Sequence, residues 1–436
     1  MYANKLLIGL LALLWAICAQ AGPKIQTWNA ANGARVYFVP TEGLPMVDVR
    51  VVFDAGSARD GAQFGLATLT AGLLDTGAGS WDADAIAKRL EGVGARLATG
   101  ASRDFAFVSL RSLTDPKLLE PALATMQAIL QTPTFNPADF EREKNNLLLG
   151  LKQREESPAD IAGISFFQTL YGSHPYAHPK EGNIDTVEKL SRDDLQAFYK
   201  HYYVAQNAWV VIVGEVDRAK AEGIVETLLS GLPAGEAAAA LPTVEAPAAG
   251  GVTRKFFPSA QTHIYSGVPG IAVGDPDYLP LYVGKHILGG SGLVSKISEE
   301  VREKRGLSYS ATSYFYPFRA QGPFLMGLQT KNDTADEALA VLQKTLRDFI
   351  SAGPTAKELE ASKKNITGGF AMRLDSNQKL LDQVAHIAFY GLPLDYLETF
   401  TAKVEAVTPQ DIQRAFKARI DPDKLQTVMV GAGAKP

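Results

Sequence analysis

The sequence contains very little cysteine and histidine. Of its 436 residues only Cys18 is a cysteine and six are histidines. Because Cys18 lies in an apolar N-terminal stretch, the chain beyond it has no thiol for a disulfide, a metal site or nucleophilic catalysis. Stability must therefore come from packed cores, and 46% hydrophobic residues can supply them.

The chain also lacks a strong charge of either sign, and it lacks long apolar runs beyond its N-terminus. A formal net charge of −4 without a basic stripe argues against nucleic acid as a partner. The one long apolar run, residues 6–18, follows Lys5 and precedes the small-residue pattern AQA of residues 19–21. This run is shorter than the ~20 residues that span a bilayer, so residues 1–21 are predicted to be a secretory signal, a retained anchor being the alternative. We expect export, with a bacterial periplasm as the destination, and no membrane span after cleavage.

The composition changes in residues 233–251, which are rich in alanine, proline and glycine and predict an extended linker. This linker separates two predicted domains, residues 22–232 and 252–436. Each half closes with the same pattern, in which a helix capped by Ser191 or Thr408 precedes a β-branched run that ends at glycine. Two such matches in the same order predict a repeated domain.

Each half mixes strand and helix patterns in blocks. Alternating or continuously apolar runs predict strands, and apolar residues at helical spacing predict amphipathic helices. The strand patterns cover residues 46–53, 105–111 and 324–330, and the helix patterns cover residues 82–92, 118–130 and 335–350. Because strands and helices do not strictly alternate, the fold class predicted is α+β, with helices on one face of a sheet.

Residues 55–79 resemble the active-site strand and helix of the pitrilysin/insulinase family of zinc peptidases, the inverzincins. In that family the helix carries H-x-x-E-H, whose two histidines bind zinc and whose glutamate activates water. Aligned on the Gly-Leu-Ala of residues 65–67, those three positions are Thr68, Ala71 and Gly72. The family's third ligand, a glutamate on a later helix, is missing from the matching residues 147–151. None of these groups can replace a ligand or the base, so we predict that this chain holds no metal.

The second half resembles the other part of the family's site. There, an arginine and a tyrosine seven residues apart reach the zinc from the second domain, and Arg302 and Tyr309 have that spacing. Val294, Ile297 and Val301 predict an apolar helix stripe that places Arg302 near the end of this helix. The resemblance implies that Tyr309 donates a hydrogen bond to the oxyanion and that Arg302 holds a substrate carbonyl. On spacing alone, a solvated arginine and a tyrosine packed on the sheet remain the alternative.

Two further patterns have a weaker functional interpretation. Gly289, Gly290 and Gly292 form a glycine turn before this helix, and we predict that the turn touches substrate backbone. His174 and His178 are four residues apart, but Pro175 and Pro179 exclude a helix there, so the spacing does not indicate a metal site.

The resemblance covers nearly the whole chain beyond residue 21. It implies a clamshell of two homologous α+β domains, each a mostly antiparallel sheet with helices on one face. It also implies a non-catalytic subunit of a heteromeric zinc peptidase, in which a homologous partner chain holds the zinc and Arg302 and Tyr309 serve that partner's site in peptide hydrolysis. The alternative is a catalytically inert peptide-binding or structural homodimer.

Overall fold

The computed structural model describes residues 24–433. The predicted signal segment of residues 1–21 lies outside these residues. The first half contains a six-stranded sheet in the order β1-β2-β8-β3-β7-β6 and a small β4-β5 ribbon. Its strands are β1 (Gln26–Asn29), β2 (Arg35–Pro40), β3 (Met46–Phe53), β4 (Gly77–Ala78), β5 (Trp81–Asp82), β6 (Arg96–Ala101), β7 (Ala106–Leu113) and β8 (Ala208–Gly214).

The helices of the first half pack mainly on one face of its sheet and enclose an apolar core. They are α1 (Leu66–Leu73), α2 (Ala83–Glu91), α3 (Pro116–Gln131), α4 (Pro137–Glu155), α5 (Pro158–Tyr171), α6 (Arg192–Tyr202) and α7 (Arg218–Leu229), with a one-turn helix at Ile184–Val187. Residues 230–250, which include most of the predicted linker, have no regular structure. The domain boundaries themselves stay a prediction.

The second half has a five-stranded sheet in the order β11-β12-β10-β13-β9. Its strands are β9 (Gly251–Lys255), β10 (Gln261–Pro269), β11 (Ala311–Phe315), β12 (Pro323–Lys331) and β13 (Gln426–Val430). Its longer helices are α8 (Tyr278–Lys285), α9 (Ala335–Ala352), α10 (Ala356–Gly368), α11 (Asn377–Tyr390), α12 (Tyr396–Ala406) and α13 (Pro409–Arg419). Shorter helical turns occupy the segment between α8 and β11.

The two halves share one topology. In each sheet a single parallel pair, β2 with β8 and β9 with β13, adjoins strands that all pair antiparallel. The closing helices begin alike, because the hydroxyls of Ser191 and Thr408 accept from the backbone N–H groups of Asp194 and Asp411, whose carboxylates bond back to the capping residue. The predicted α+β class, with two homologous and mostly antiparallel domains, is therefore confirmed.

Each sheet is also covered on its second face by one helix from the other half. The helix α11 packs on β3 and β8, whereas α5 packs on β10 and β13. As a result every residue of the central strands β8 and β13 is buried. The sequence predicted helices on one face only, and the exchanged pair α5 and α11 supplies the cover on the other.

Asp104 connects the two halves at this interface. Its carboxylate accepts hydrogen bonds from the hydroxyls of Tyr176 (2.5 Å) and Tyr390 (2.8 Å) and from the backbone N–H of Arg319 (2.8 Å). Burial, followed by the negative charge of Asp104, raises the pKa of both tyrosines far above the usual range, so they remain donors. The two lobes are therefore joined by polar bonds as well as by apolar packing.

No helix within residues 24–433 combines the length and the apolar character needed to cross a membrane.

Candidate functional site

The helix α1 carries the three positions that the sequence aligns with the family's zinc motif, and a buried carboxylate fixes its start. Backbone N–H groups of Gly65 and Ala67 each donate to Asp60 at 2.8 Å. Burial raises the pKa of Asp60 to about 8, although the two backbone hydrogen bonds oppose the shift. Gly65 has φ 96°, and a Cβ there would lie 2.8 Å from the carbonyl oxygen of Glu181, so this position requires glycine.

The three motif positions offer no metal-binding face. Thr68 is half-buried, and its hydroxyl donates to the carbonyl oxygen of Lys180 at 2.5 Å. Ala71 is fully buried in the domain core. Gly72 is exposed, and a Cβ added there would meet no atom within 4 Å. The face of α1 that would carry zinc ligands is therefore accessible but has no metal-binding side chain.

The neighbouring helix α4 is equally poor in ligands where it packs near α1. Leu149 is 59% exposed, Gly150 has no side chain, and Leu151 is buried. Across residues 24–433, no group of three or more His, Cys, Asp or Glu side chains is arranged to hold a metal ion. The donor set that zinc requires is therefore lacking in the described part of the chain.

His174 and His178 serve the packing of a loop beside α1. The Nδ1 atom of His174 accepts from the backbone N–H of Tyr176, and its Nε2 lies 3.0 Å from the carbonyl oxygen of Pro242, which assigns a proton to Nε2. The ring of His178 stacks on Phe64 with 4.1 Å between centroids. Burial lowers the pKa of both histidines, to about 4 for His178, so both rings are neutral at pH 7.

The helix that carries Arg302 starts later than the sequence predicted. Ser295 has an extended backbone, and its hydroxyl accepts from the N–H of Ser298, so the helix begins at Lys296. Ile297 and Val301 are fully buried as expected, but Val294 is 86% exposed. The predicted three-residue stripe was wrong at Val294 because that residue precedes the cap.

Arg302 and Tyr309 lie at the surface on either side of a tight turn. Arg302 is in the final π-helical turn, Glu299–Glu303, and its side chain is 35% exposed with its Nε 3.4 Å from Glu303. After Gly306, at φ +61°, the chain reaches Tyr309, two residues before β11. Tyr309 is 86% exposed, and its hydroxyl bonds to no atom of residues 24–433. The structure brings the two residues to one turn but does not join them by a hydrogen bond.

The glycine turn has a packing role at one position. A Cβ on Gly289 would lie 2.5 Å from the backbone nitrogen of Ser313, so only glycine lets this segment approach β11. Gly290 lines a cavity of about 630 Å³ beside α10. Gly292 is exposed at φ +63° with open space around it. Contact of these glycines with substrate stays a prediction.

The structure also assembles a group of residues that the sequence did not indicate. Arg103, in the loop between β6 and β7 of the first half, lines a cavity whose other walls come largely from β10, β11 and β12 of the second half. Residues so far apart in the chain meet only because α5 crosses to the second sheet. No local pattern around Arg103 could have revealed this, since the signal lies in the packing of the two halves.

Duplicated α+β domains, a zinc helix without ligands and an exposed Arg/Tyr turn together define an inactive metallopeptidase homologue. Comparison with protein families agrees with this class. A profile described as insulinase (peptidase family M16) matches residues 35–181, and one described as peptidase M16 inactive domain matches residues 189–366. The chain belongs to the M16 peptidase family and is a non-catalytic member of it.

Similar proteins support this assignment. A crystal structure described as a peptidase M16 inactive domain from Pseudomonas fluorescens is 36% identical, with a TM-score of 0.91 over 94% of this chain and 100% of that one. A Helicobacter pylori protein named non-peptidase homolog YmxG is 26% identical over 97% of this chain and 98% of its own length. A Bacillus subtilis protein named uncharacterized zinc protease YmxG is 24% identical over 82% of this chain and 86% of its own.

Proposed function

We propose that this protein is the zinc-less subunit of an exported, periplasmic heteromeric peptidase and that its partner is a homologous chain that holds the zinc. The proposal rests above all on one contrast within the chain. The first half has lost every zinc ligand and the catalytic base at Thr68, Ala71, Gly72 and residues 147–151, whereas the second half keeps Arg302 and Tyr309 at its surface. Because the described part of their own chain has no metal site, Arg302 and Tyr309 would have a catalytic role beside a metal held by another chain.

The chemistry of the two side chains suits this role. Tyr309 has a hydroxyl with no protein partner in the described chain, so it is free to donate to the oxyanion that forms when water attacks a peptide carbonyl. Arg302 pairs only with its sequence neighbour Glu303 at 3.4 Å, and an exposed pair of this kind contributes little. Its guanidinium can therefore turn to a substrate carbonyl at little energetic cost.

Apolar side chains at the start of the helix that carries Arg302 support contact with another chain. Leu293 is 59% exposed and Val294 is 86% exposed, and both directly precede the helix of Arg302. Large apolar side chains that are exposed together are typical of protein–protein interaction sites.

The test is the turnover of the two-chain complex with Arg302→Ala or Tyr309→Phe. Each substitution should lower kcat at least about tenfold, because it removes a group that acts in the transition state. Arg305→Ala is the matched control, since Arg305 lies on the same turn but pairs with Glu300 at 2.7 Å. Co-elution of the two chains on size-exclusion should not change in any variant. Full activity of both site variants would refute the role assigned to Arg302 and Tyr309.

The second candidate is an inert peptide-binding or structural homodimer. It is favoured by Leu149, which is exposed on α4 in the segment aligned with the family's third zinc ligand. An apolar contact with another molecule there could take the place of metal binding. Native mass spectrometry of the protein isolated from its own source separates the two candidates. A one-to-one complex with a second chain and one zinc supports the subunit role, and a metal-free homodimer supports the alternative.

A further inference from the structure

A groove runs along the second sheet from Ser310, the residue that follows Tyr309, toward Arg103 of the first half. It is a cavity of about 620 Å³ on the face that α5 covers only in part. Ser310, Thr312, Tyr314 and Tyr316 alternate along β11 and its flanks and line it in sequence. We call this cavity the β11 groove. Its length from Ser310 to Tyr316 is about 20 Å, which matches roughly six residues of extended peptide.

Arg103 lies in this groove as a cation without a partner. Its guanidinium stacks on Phe167 at 4.0 Å, and its Nε atom is buried with no hydrogen-bond acceptor in the described chain. Its pKa is lowered, chiefly by burial. None of the lining residues is acidic, and burial also lowers the pKa of His263, so at pH 7 Arg103 alone among them is charged. A half-buried cation whose Nε has no acceptor is costly, and buried polar groups of this kind normally have a ligand or partner.

Neither of the two neighbouring acids is hydrogen-bonded to Arg103. The carboxylate of Glu181 pairs with Arg154 at 2.8 Å and with Lys180 at 3.0 Å. The carboxylate of Asp104 already accepts three hydrogen bonds, from Tyr176, Tyr390 and the backbone of Arg319. No side-chain hydrogen bond or ion pair joins Arg103 to any of residues 24–433. The guanidinium therefore retains its donors for a molecule that enters the groove.

The equivalent arginine in the other half of the chain lies near a carboxylate. Arg319 lies in the corresponding loop between β11 and β12 and stacks on Phe389 of α11 at 4.2 Å, as Arg103 stacks on Phe167 of α5. Arg319, however, lies 3.6 Å from the carboxylate of Asp54, the residue that directly follows β3, and its guanidinium donates to the carbonyl oxygen of Phe389 at 3.1 Å. Asp54 also pairs with Arg59 at 2.8 Å, and the Nε atom of Arg319 has no hydrogen-bond acceptor among the described residues. The residue that directly follows β10 is Gly270. The groove thus lacks the carboxylate that its counterpart possesses.

We propose that the β11 groove binds an extended peptide and that Arg103 receives a carboxylate of that peptide. The guanidinium presents a planar fork of N–H donors that matches a carboxylate, and the tyrosines of β11 offer apolar surface and hydroxyls to the intervening residues. The carboxylate can be the C-terminus of the peptide or an acidic side chain. This inference deepens the proposed function and depends on it for one assumption, that the ligand is a peptide. The groove begins next to Tyr309, so a peptide bound there would lie on one side of the partner's zinc.

The experiment is isothermal titration calorimetry of the isolated chain with three N-acetylated alanine/serine decapeptides. The first has a free C-terminal carboxylate, the second a C-terminal amide, and the third a C-terminal amide with one internal glutamate. At least one carboxylate peptide should bind about tenfold more tightly than the plain amide. Which one does so identifies the C-terminus or the side chain as the source. Equal affinity for all three peptides would overturn the proposal.

Arg103→Met should abolish the preference for carboxylate while keeping an apolar stem over Phe167. The matched control is Arg89→Met, because Arg89 stacks in the same way on Trp81 at 3.8 Å but lies outside the groove. Arg103→Lys keeps the charge without the planar fork and should give intermediate affinity, which provides a second reading if the methionine variant folds poorly. A carboxylate preference that survives in both Arg103 variants would also overturn the proposal.

This binding assay contains neither a partner chain nor zinc. A loss of selectivity in Arg103→Met, together with full peptidase activity of Arg302→Ala and Tyr309→Phe complexes, would leave the groove assigned and refute the subunit role. Unchanged carboxylate selectivity in Arg103→Met, together with loss of peptidase activity in the Arg302→Ala and Tyr309→Phe complexes, would refute the groove and leave the subunit role standing.

Discussion

Asp60 shows how one buried residue can make the stability of this protein depend on pH. Burial holds the pKa of this carboxyl at about 8 in the folded chain, whereas the pKa of an unfolded aspartate is ~4. Between these values the folded state retains a proton that the unfolded state has lost. The contribution of Asp60 to stability is therefore complete below about pH 4 and is lost as the pH rises to about 8.

Asp60→Asn should flatten this dependence. The variant loses one of the two helix-capping bonds and should be less stable than wild type at pH 5, but its free energy of unfolding should change less between pH 5 and pH 8. The difference in slope is expected to be up to about 1.4 kcal/mol per pH unit. Urea unfolding followed by tryptophan fluorescence at pH 5, 6.5 and 8 measures it. Parallel slopes for the two proteins would show that Asp60 is already ionised in the fold.

At the residue scale, the sequence revealed what local spacing encodes. The substitutions at Thr68, Ala71 and Gly72 were visible because a missing ligand is a matter of residue type, and the seven-residue spacing singled out Arg302 and Tyr309. The sequence did not indicate Arg103. Its role is inferred from the absence of a hydrogen-bond partner among the described residues, and which side chains surround it depends on residues that are distant in the chain.

At the scale of the element, two glycines make a direct comparison. Gly72 lies inside α1 with open space where a Cβ would stand, whereas a Cβ on Gly289 would lie 2.5 Å from backbone. Gly72→Ala should raise the free energy of unfolding by up to about 1 kcal/mol, because alanine favours the helix. Gly289→Ala should lower it by more than about 1 kcal/mol. Urea midpoints of the two variants test this, and a destabilised Gly72→Ala would mean that the bare face of α1 is not open.

Most elements followed from periodicity, with errors at the ends of the elements. The predicted strand of residues 46–53 has the bounds of β3, and the predicted helix of residues 118–130 lies within α3, which Asp115 and Pro116 start earlier. The error at Val294 has the same origin, since a serine cap rather than the apolar spacing decides where a helix begins.

At the scale of the molecule, periodicity could not predict the exchange of α5 and α11. An amphipathic pattern shows that a helix has a buried face, but it does not show which sheet covers that face. Each of these helices connects to elements of its own half and packs on the strands of the other. Only the assembled fold reveals the exchange.

The exchange predicts that the halves do not separate when the linker is cut. We expect a protease site inserted after the exposed Glu245 to be cleaved while both fragments co-elute at the size of the intact chain. Trp209 and Phe389, 5.0 Å apart across the interface, illustrate the apolar contact that would hold them. The matched control is the same protein without the inserted site, treated with protease. Fragments that elute separately under native conditions would contradict this view of the interface.

The same exchange has a consequence for the ancestry of the fold. A chain of half this length with the shared topology would leave one face of its sheet apolar and uncovered, because the covering helix comes from the other half. Two copies related by a two-fold axis would each lend a helix to the other and bury both faces. The present chain would thus derive from an ancestor that was an obligate homodimer. Residues 230–250, which have no regular structure, would mark the point where the two copies were joined.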